Sequence, residues 1–345
     1  MVTAVIAGGG CAFPGQVDQD TLWSGFFGPR LDHSRVAGRI FRSAGVARRH
    51  AVADPLVEDV SGWSTGQRMR RYAAEAMPLG KEAVSAALAD AGMGADEVGL
   101  FAVVSCTGYM TPGLDIRLAA DLGMPADVRR LMIGHMGCYA AIPGLATVAD
   151  FVVAQGRPAV LLCVELTSLH IQPQTDDLGQ VVTHALFADA AAAVVLRPSG
   201  AGVSIVDIAA RTDNTTADHM RWDITDLGFR MGLSPEVPAV LAEQVGPMMS
   251  DLLTRHGLTV DDIGAWAVHP GGPRILETVE TALRLPPDAL DVSRAVLRER
   301  GNCSSATVLV ILDELRKAGR LHGDRPAVAM AFGPGLTLYA ALLSP

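Results

Sequence analysis

The sequence predicts an α/β protein made of two related halves around buried helices. Nearly continuous apolar runs, as at 157–166 and 327–332, are typical of strands buried on both faces of a sheet. Helix-length segments alternate with these runs, as in layered α/β folds. The segment 140–154 is apolar on nearly every side, and a helix of that kind lies inside a protein.

The same patterns place the remaining elements in chain order. The first strand leads into the glycine turn at 8–10, and a helix covers 66–91, where Pro78 is expected to break it. A helix of about five turns covers 134–156 and carries Cys138 in its first turn. The other predicted strands cover 98–106, 157–166, 187–196, 203–210, 265–269, 327–332 and 336–343. The other predicted helices cover 112–122, 238–256, 273–284, 289–299 and 303–318.

One internal repeat relates the two halves. Gly137-Cys138 opens an apolar helix that leads into Arg157-Pro-Ala-Val, and Gly301-Asn302 opens one that leads into Arg325-Pro-Ala-Val. The repeat predicts a duplicated unit, with an N-terminal half at 1–198 that carries the cysteine and a C-terminal half at 199–345. Cys138 and Asn302 then begin equivalent buried helices, so we expect them to face one site.

Composition excludes several classes of function. The net charge of −9 opposes nucleic acid as the main partner. The five cysteines are scattered, without a Cys-x-x-Cys pair, so neither a disulfide framework nor a metal site is predicted. The N-terminus does not resemble a signal peptide, and the apolar runs are too short to span a bilayer. We therefore expect a cytoplasmic protein that does not bind membranes.

Arginine is concentrated near the N-terminus. Residues 21–71 contain nine arginines and four acidic residues. In an acidic protein this excess indicates a site for a phosphate-bearing ligand, although a solvated basic surface explains it equally well.

Three polar residues stand in apolar or glycine-rich surroundings. Cys138 at a helix N-terminus is expected to have a lowered thiol pKa and to act as a nucleophile, although most lone cysteines are small buried hydrophobes. His269 ends a predicted strand before Pro270-Gly-Gly-Pro273, where it would point into a cleft, or it is a core histidine. Asn302 heads a buried helix and could be an ordinary N-cap. Together they fit acyl transfer through a thioester, with His and Asn as oxyanion donors.

Six motifs give the chain a resemblance to the type III polyketide synthases, the chalcone-synthase-like family of the thiolase fold. They are Gly137-Cys-Tyr-Ala140, Glu165-Leu-Thr-Ser168, His184-Ala-Leu-Phe-Ala-Asp-Ala-Ala-Ala192, Trp266-Ala-Val-His-Pro-Gly-Gly-Pro273, Gly301-Asn-Cys-Ser-Ser305 and Phe332-Gly-Pro-Gly-Leu-Thr337. The resemblance implies a duplicated five-layered αβαβα fold and a homodimer. It places the family's catalytic residues on Cys138, His269 and Asn302.

The resemblance also implies a mechanism. Cys138 takes an acyl group from an acyl-CoA starter, with His269 holding the cysteine as thiolate. Malonyl-CoA then loses carbon dioxide while His269 and Asn302 stabilise the enolate. A Claisen condensation follows, and the product cyclises to a pyrone or resorcinol. Coenzyme A thioesters are the substrates, and no metal or redox cofactor is needed.

Further residues are assigned through the same resemblance. Phe229 matches a gatekeeper aromatic residue, and Ala265 is aligned with a second one, whose loss would widen the passage to the cavity. His170 is expected to shorten the space for a growing chain. The expected pocket residues are Cys106, Thr167, His170, Phe229, Ala265 and Ser304, and Arg39 is the expected coenzyme A contact.

Two alternatives remain open at this stage. One is a ketoacyl synthase III-like enzyme or an acyltransferase, which would condense once or only move an acyl group. The other is a non-catalytic thiolase-fold partner that binds acyl-CoA. A papain-like protease also uses Cys, His and Asn, but its signature around the cysteine is missing from this sequence.

Overall fold

The computed structural model describes residues 4–345, which form a large central sheet enclosed by helices. The strands are β1 (Val5–Ala12), β2 (Gln16–Asp18), β3 (Arg48–His50), β4 (Leu100–Ser105), β5 (Arg129–Gly134), β6 (Ala159–Glu165), β7 (Ala190–Arg197), β8 (Val203–Thr212), β9 (Met220–Thr225), β10 (Gly228–Leu233), β11 (Ala265–Val268), β12 (Ala327–Gly333) and β13 (Thr337–Ser344). The helices are α1 (Gln19–Leu22), α2 (Gly28–Arg30), α3 (Arg35–Ser43), α4 (Thr65–Asp90), α5 (Leu114–Asp121), α6 (Ala141–Gln155), α7 (Leu178–Leu186), α8 (Val237–Thr254), α9 (Pro273–Leu283), α10 (Asp291–Arg300) and α11 (Ala306–Lys317).

Nine strands form one continuous sheet in the order β11-β12-β13-β8-β1-β7-β6-β4-β5. The pairs β4–β5, β4–β6 and β11–β12 are parallel, and the others are antiparallel. The strands of the N-terminal and C-terminal halves are joined by a short pairing in which Val5 and Ile6 of β1 face Ser204 and Val203 of β8. The sheet therefore passes without a break from one half of the chain to the other.

Alternating side chains divide the interior into three apolar cores. On β4, Phe101 and Val103 face the core beneath α4, whereas Ala102 faces the core around α6 and α11. On β12, Ala329 faces that same central core, and Val328 faces a third core with α8 and α9. α6 and α11 lie in the central core, with the N-terminal strands of the sheet on one side and its C-terminal strands on the other, and the outer cores are covered by α4 and by α8 with α9. This is the five-layered αβαβα arrangement that the resemblance implies.

The two central helices begin later than predicted. α6 starts at Ala141 and α11 at Ala306, so Cys138 and Asn302 lie in the turns that precede the helices rather than in their first turns. Pro143 contributes to the late start of α6, since proline lacks the N–H that a helix interior requires and is tolerated only in a first turn.

The predicted break at Pro78 is also wrong. α4 runs without interruption from Thr65 to Asp90 with Pro78 inside it. Its buried face packs on β1 so closely that a Cβ on Gly8 or Gly10 would lie 2.6 or 2.5 Å from a carbonyl oxygen of the helix. We attribute the continuity of α4 to this packing, which outweighs the one hydrogen bond that proline removes. Within residues 4–345, no helix is both long and apolar enough to cross a membrane.

Candidate active site

Cys138 lies in a tight turn in front of α6. Gly137 adopts φ 82°, which places it in the left-handed region, and its carbonyl accepts the Ala140 N–H at 3.1 Å. A Cβ on Gly333, at the end of β12, would lie 3.3 Å from the Cys138 nitrogen. The cysteine is 7% exposed, so a substrate can reach it only through a narrow opening.

Ser304 connects Cys138 to Asn302. The Cys138 thiol donates to Ser304 Oγ at 3.7 Å, and the Ser304 N–H donates to Asn302 Oδ1 at 2.9 Å. Ser304 has φ 50°, an uncommon conformation for a residue other than glycine. The structure therefore brings together the two turns that the internal repeat relates.

The main chain holds Asn302 in place on both sides. Its N–H donates to Leu186 C=O and its C=O accepts from the Ala188 N–H, both at 2.9 Å. Because Oδ1 accepts the Ser304 N–H, the amide orientation is set and Nδ2 is the group available to donate to a substrate oxygen.

His269 follows β11 and is 1% exposed. Its N–H donates to Met330 C=O on β12 at 2.8 Å, and β12 ends at Gly333 against Cys138. Within residues 4–345, neither ring nitrogen has a hydrogen-bond partner. The predicted sulfur–imidazole contact is therefore not a hydrogen bond here, since the thiol donates to Ser304. An unpaired buried imidazole calls for an explanation, and a substrate would supply the partners.

Burial sets the ionisation of this site. It raises the pKa of the Cys138 thiol to about 12, while the Ser304 hydrogen bond acts in the opposite direction. The expected lowering of this pKa is therefore wrong, because loss of water outweighs the helix N-terminus. Burial also lowers the pKa of His269 to about 3, so the imidazole is neutral at pH 7.

Substituting Ser304 should change the acidity of Cys138. In Ser304→Ala the hydroxyl that supports the thiolate is lost, so alkylation of Cys138 by iodoacetamide should shift to higher pH. The rate is measured on the Cys138 peptide by mass spectrometry. Ser304→Gly should show the same shift, yet unfold with a free energy about 1 kcal/mol higher than Ser304→Ala because glycine tolerates the positive φ. Unchanged alkylation profiles in both variants would contradict this role.

A buried carboxyl group lies beneath Cys138 and was not expected from the sequence. Glu165 accepts hydrogen bonds from the Cys106 N–H at 3.0 Å, from Thr107 Oγ1 at 2.8 Å and from Ser305 Oγ. Burial raises its pKa to about 7, and these hydrogen bonds oppose the rise. Cys106 is buried beside it, and its sulfur accepts the Gly137 N–H at 3.0 Å. Glu165 thus ties the ends of β4 and β6 to the start of α11.

A shallow cleft lies near these residues, although none of Cys138, His269 and Asn302 lines it. Thr167 and His170 line it, as do the aromatic residues Phe187 and Trp222, which the sequence analysis did not identify. The Trp222 indole N–H donates to Cys106 C=O at 2.8 Å, and Phe187 pairs with Asn302 through the backbone. Phe187 and Trp222 therefore connect the cleft to the turns that carry Cys138 and Asn302.

His170 is a fixed part of the cleft wall. Nε2 lies 2.7 Å from Thr107 C=O, and Nδ1 accepts the Phe229 N–H at 2.9 Å, which defines the neutral tautomer. The Phe229 ring stacks on the imidazole at 4.4 Å, and the Trp222 ring meets it edge-on at 5.6 Å. Burial lowers the pKa of His170 to about 3. The side chain narrows the cleft without being able to change its charge near pH 7.

Two other predicted residues lie elsewhere. Ala265 starts β11, pairs with Ala327 and packs in the central core at 2% exposure. Its assignment to the passage is wrong, because its methyl group fills the layer of small residues between sheet and helices. Arg39 is exposed on α3.

The fold and the cysteine–histidine–asparagine set define an acyltransferase of the thiolase fold. Comparison with protein families gives two matches, to the N-terminal domain of chalcone and stilbene synthases over residues 47–200 and to their C-terminal domain over residues 207–345. The chain belongs to the chalcone and stilbene synthase family and is a type III polyketide synthase.

Curated relatives and solved structures agree with this family. The chain is 38% identical to a 1,3,6,8-tetrahydroxynaphthalene synthase of Streptomyces peucetius subsp. caesius, covering 88% of this chain and 82% of that protein. It is 30% identical to the alpha-pyrone synthesis polyketide synthase-like Pks18 of Mycobacterium tuberculosis, covering 88% of this chain and 81% of that protein. The crystal structure of PKS-I from the brown alga Ectocarpus siliculosus superimposes with a TM-score of 0.94 at 30% identity, covering 100% of this chain and 98% of that one.

Proposed function

We propose that Cys138, His269 and Asn302 carry out the condensation. Cys138 attacks the carbonyl carbon of an acyl-CoA and its proton passes to the imidazole of His269. The carbon–sulfur bond to coenzyme A then breaks, and His269 returns the proton to the departing coenzyme A sulfur, which leaves an acyl-Cys138 thioester and a neutral imidazole. The observation that carries this proposal is the buried His269 ring, unpartnered within residues 4–345, together with the Asn302 amide, whose Oδ1 is already taken by the Ser304 N–H.

The extension step uses the same groups on malonyl-CoA. The bond between its carboxylate and the adjacent carbon breaks, carbon dioxide leaves, and the electron pair forms an enolate. Asn302 Nδ2 and the His269 N–H donate hydrogen bonds to the enolate oxygen. The carbanion then attacks the acyl carbonyl, a carbon–carbon bond forms, and the Cys138 thiolate departs. Neither a metal nor a redox cofactor takes part in this scheme, in which coenzyme A thioesters are substrates.

For the product we propose a pyrone or a resorcinol made from an acyl-CoA and a few malonyl units. One relative is named for α-pyrone synthesis and another for a fused-ring naphthalene, and His170, Trp222 and Phe187 restrict the cleft here. Purified enzyme offered a panel of acyl-CoAs with malonyl-CoA should release cyclic products that mass spectrometry identifies. Absence of any ring product would reject the proposal, and release of a once-condensed product alone would favour the ketoacyl synthase-like alternative.

Coenzyme A phosphates fit the exposed face of α3. Arg35, Arg39 and Arg42 lie on this face, and within residues 4–345 none forms an ion pair. The helix packs behind the cleft, since Phe41 contacts Phe27 at 5.0 Å and Phe27 lines the cleft.

Replacing Arg35, Arg39 and Arg42 by glutamine should raise KM for malonyl-CoA with little change in kcat. The rise should be at least about 10-fold, since each hydrogen bond to a charged group contributes roughly 1.5 kcal/mol or more. Steady-state kinetics at two salt concentrations measures it, and the salt dependence of KM should weaken in the variant. Arg211→Gln, on β8, is the matched control. An equal KM for triple variant and wild type would exclude α3 as the phosphate site.

We also propose a homodimer in a reducing cytoplasm. β5 is an edge strand of the nine-stranded sheet, and Met132 on it is 40% exposed, so a second copy could cover this edge. All five cysteines are free thiols, which favours a reducing compartment. Light scattering of the purified protein tests the dimer.

A further inference from the structure

His50 forms a bonded cluster on the cleft wall that the proposed chemistry does not use. Its Nδ1 lies 2.8 Å from Pro14 C=O, and its Nε2 lies 2.9 Å from Arg300 Nη1. Arginine can only donate, so Nε2 must be the acceptor and Nδ1 must carry the proton. The Arg300 guanidinium also lies 4.4 Å above the Phe13 ring, which contacts the His50 ring at 4.9 Å. The cluster requires a neutral imidazole.

The cluster is one of three contacts between residues 47–50, which include β3, and the end of α10. The Ala47 N–H donates to Arg298 C=O at 2.8 Å, and Arg48 pairs with Glu299 at 3.0 Å. The His50–Arg300 hydrogen bond is the third and is the one next to the cleft. The three contacts follow the same order along residues 47–50 and residues 298–300, so together they fix the position of the last residues of α10.

Asn302 follows directly from this fixed end. Gly301 ends α10 with φ 74°, and a Cβ there would lie 2.8 Å from the Ala188 Cβ. The turn therefore has little room, and a shift of Arg300 would be passed to Asn302. An oxyanion donor that moves by about 1 Å can lose on the order of 100-fold in rate.

We propose that His50 and Arg300 are positioning residues that hold Asn302 in line with the substrate oxygen, and that protonation of His50 releases this hold. The proposal rests on the proposed role of Asn302 in decarboxylation. A protonated His50 would direct an N–H at the Arg300 N–H groups and place two positive charges in contact, so the hydrogen bond would be replaced by repulsion.

The surroundings of His50 keep it neutral near pH 7. Burial lowers its pKa below the ordinary 6.5, the Pro14 hydrogen bond opposes this, and the Arg300 charge lowers it further. The paired strands β2 and β3 place Asp18, Arg48 and Arg49 around it, and the end of α10 adds Arg298 and Glu299. Asp189, His170 and His184 lie on the cleft side. His170 and His184 have pKa values of about 3, so they stay neutral as the pH falls from 7 to 5. The contact is intact above pH 6.5 and is lost as the pH falls through the lowered pKa of His50.

The test is the pH dependence of malonyl-CoA decarboxylation, measured without a starter between pH 5 and 8. The wild-type kcat should fall about 10-fold on the acid side as Asn302 loses its alignment. In His50→Gln the amide can accept from Arg300 and donate to Pro14, and it does not titrate. Activity at pH 7 should therefore be retained, and the fall in kcat on the acid side should begin at a lower pH. In Arg300→Gln the amide can donate to the neutral imidazole or accept from the protonated one, so no repulsion develops and the fall in kcat on the acid side should disappear.

Arg48→Gln is the matched control, because it breaks the neighbouring surface ion pair without touching the imidazole. Losing this contact should lower kcat by the same factor at every pH, so the pH at which kcat falls should match the wild-type value. Loss of the acid-side fall in kcat, or its displacement to lower pH, in both His50→Gln and Arg300→Gln supports the proposal, and any other pattern overturns it. If thermal melting shows that His50→Gln does not fold, the pH profiles of Arg300→Gln and Arg48→Gln are compared, and a difference between them in the pH at which kcat falls supports the proposal. A wild-type enzyme that never decarboxylates malonyl-CoA would instead refute the proposed function, together with this inference.

Discussion

Cys138→Ala should abolish ring formation while leaving malonyl-CoA decarboxylation in place. Removing the sulfur removes the only atom on which we place the acyl thioester, so condensation should fall by at least about 10³-fold. Decarboxylation relies instead on His269 and Asn302 and should continue at a measurable rate. Product mass spectrometry follows the first reaction, and acetyl-CoA formation follows the second.

Cys163→Ala is the matched control for this loss. Cys163 is fully buried on β6 in the same central core, so its substitution tests the effect of deleting a buried sulfur. It should cost about 1 kcal/mol of stability and leave the product unchanged. The non-catalytic alternative requires Cys138→Ala to behave like Cys163→Ala, and ring product from the Cys138 variant would refute the thioester role.

Asn302→Ala should slow decarboxylation about 10²–10³-fold, the usual effect of removing one oxyanion donor. Because Oδ1 is occupied by the Ser304 N–H, the loss at the substrate is specifically that of the Nδ2 donor. The measured quantity is kcat for acetyl-CoA release from malonyl-CoA, with KM expected to change little.

Asn302→Asp separates geometry from hydrogen-bond donation. Aspartate keeps the acceptor for Ser304 and nearly the same shape, but it places a negative charge where the enolate forms. It should therefore be at least as slow as the alanine variant. An Asn302→Asp enzyme with near wild-type kcat would show that the side chain serves only to cap the turn.

The sequence was sufficient for the class of fold and for bringing the Cys138 and Asn302 segments together. Both followed from features that are local in the chain, namely the helix-length apolar segments and the motifs around Cys138, His269 and Asn302. The internal repeat also correctly paired the Cys138 and Asn302 turns, which Ser304 joins in the structure.

The errors concern properties that depend on distant neighbours. The pKa of Cys138 is set by burial that many segments provide together, so the helix N-terminus alone misled the prediction. Ala265 shows the same limit, because the face of β11 that meets the central helices is fixed by its pairing with β12. Trp222 was missed because its contact with Cys106 joins residues 116 positions apart.

The place of β1 in the sheet affects how the protein can be synthesised. This strand leaves the ribosome well before its two neighbours, β7 and β8, which begin at Ala190 and Val203. Throughout that interval its edges have no strand to pair with, and unpaired edges promote aggregation. α4 is complete about 100 residues earlier, and Gly8 and Gly10 allow it to press directly on β1. Gly8 and Gly10 thus allow α4 to pack on the nascent strand β1 until β7 and β8 have been synthesised.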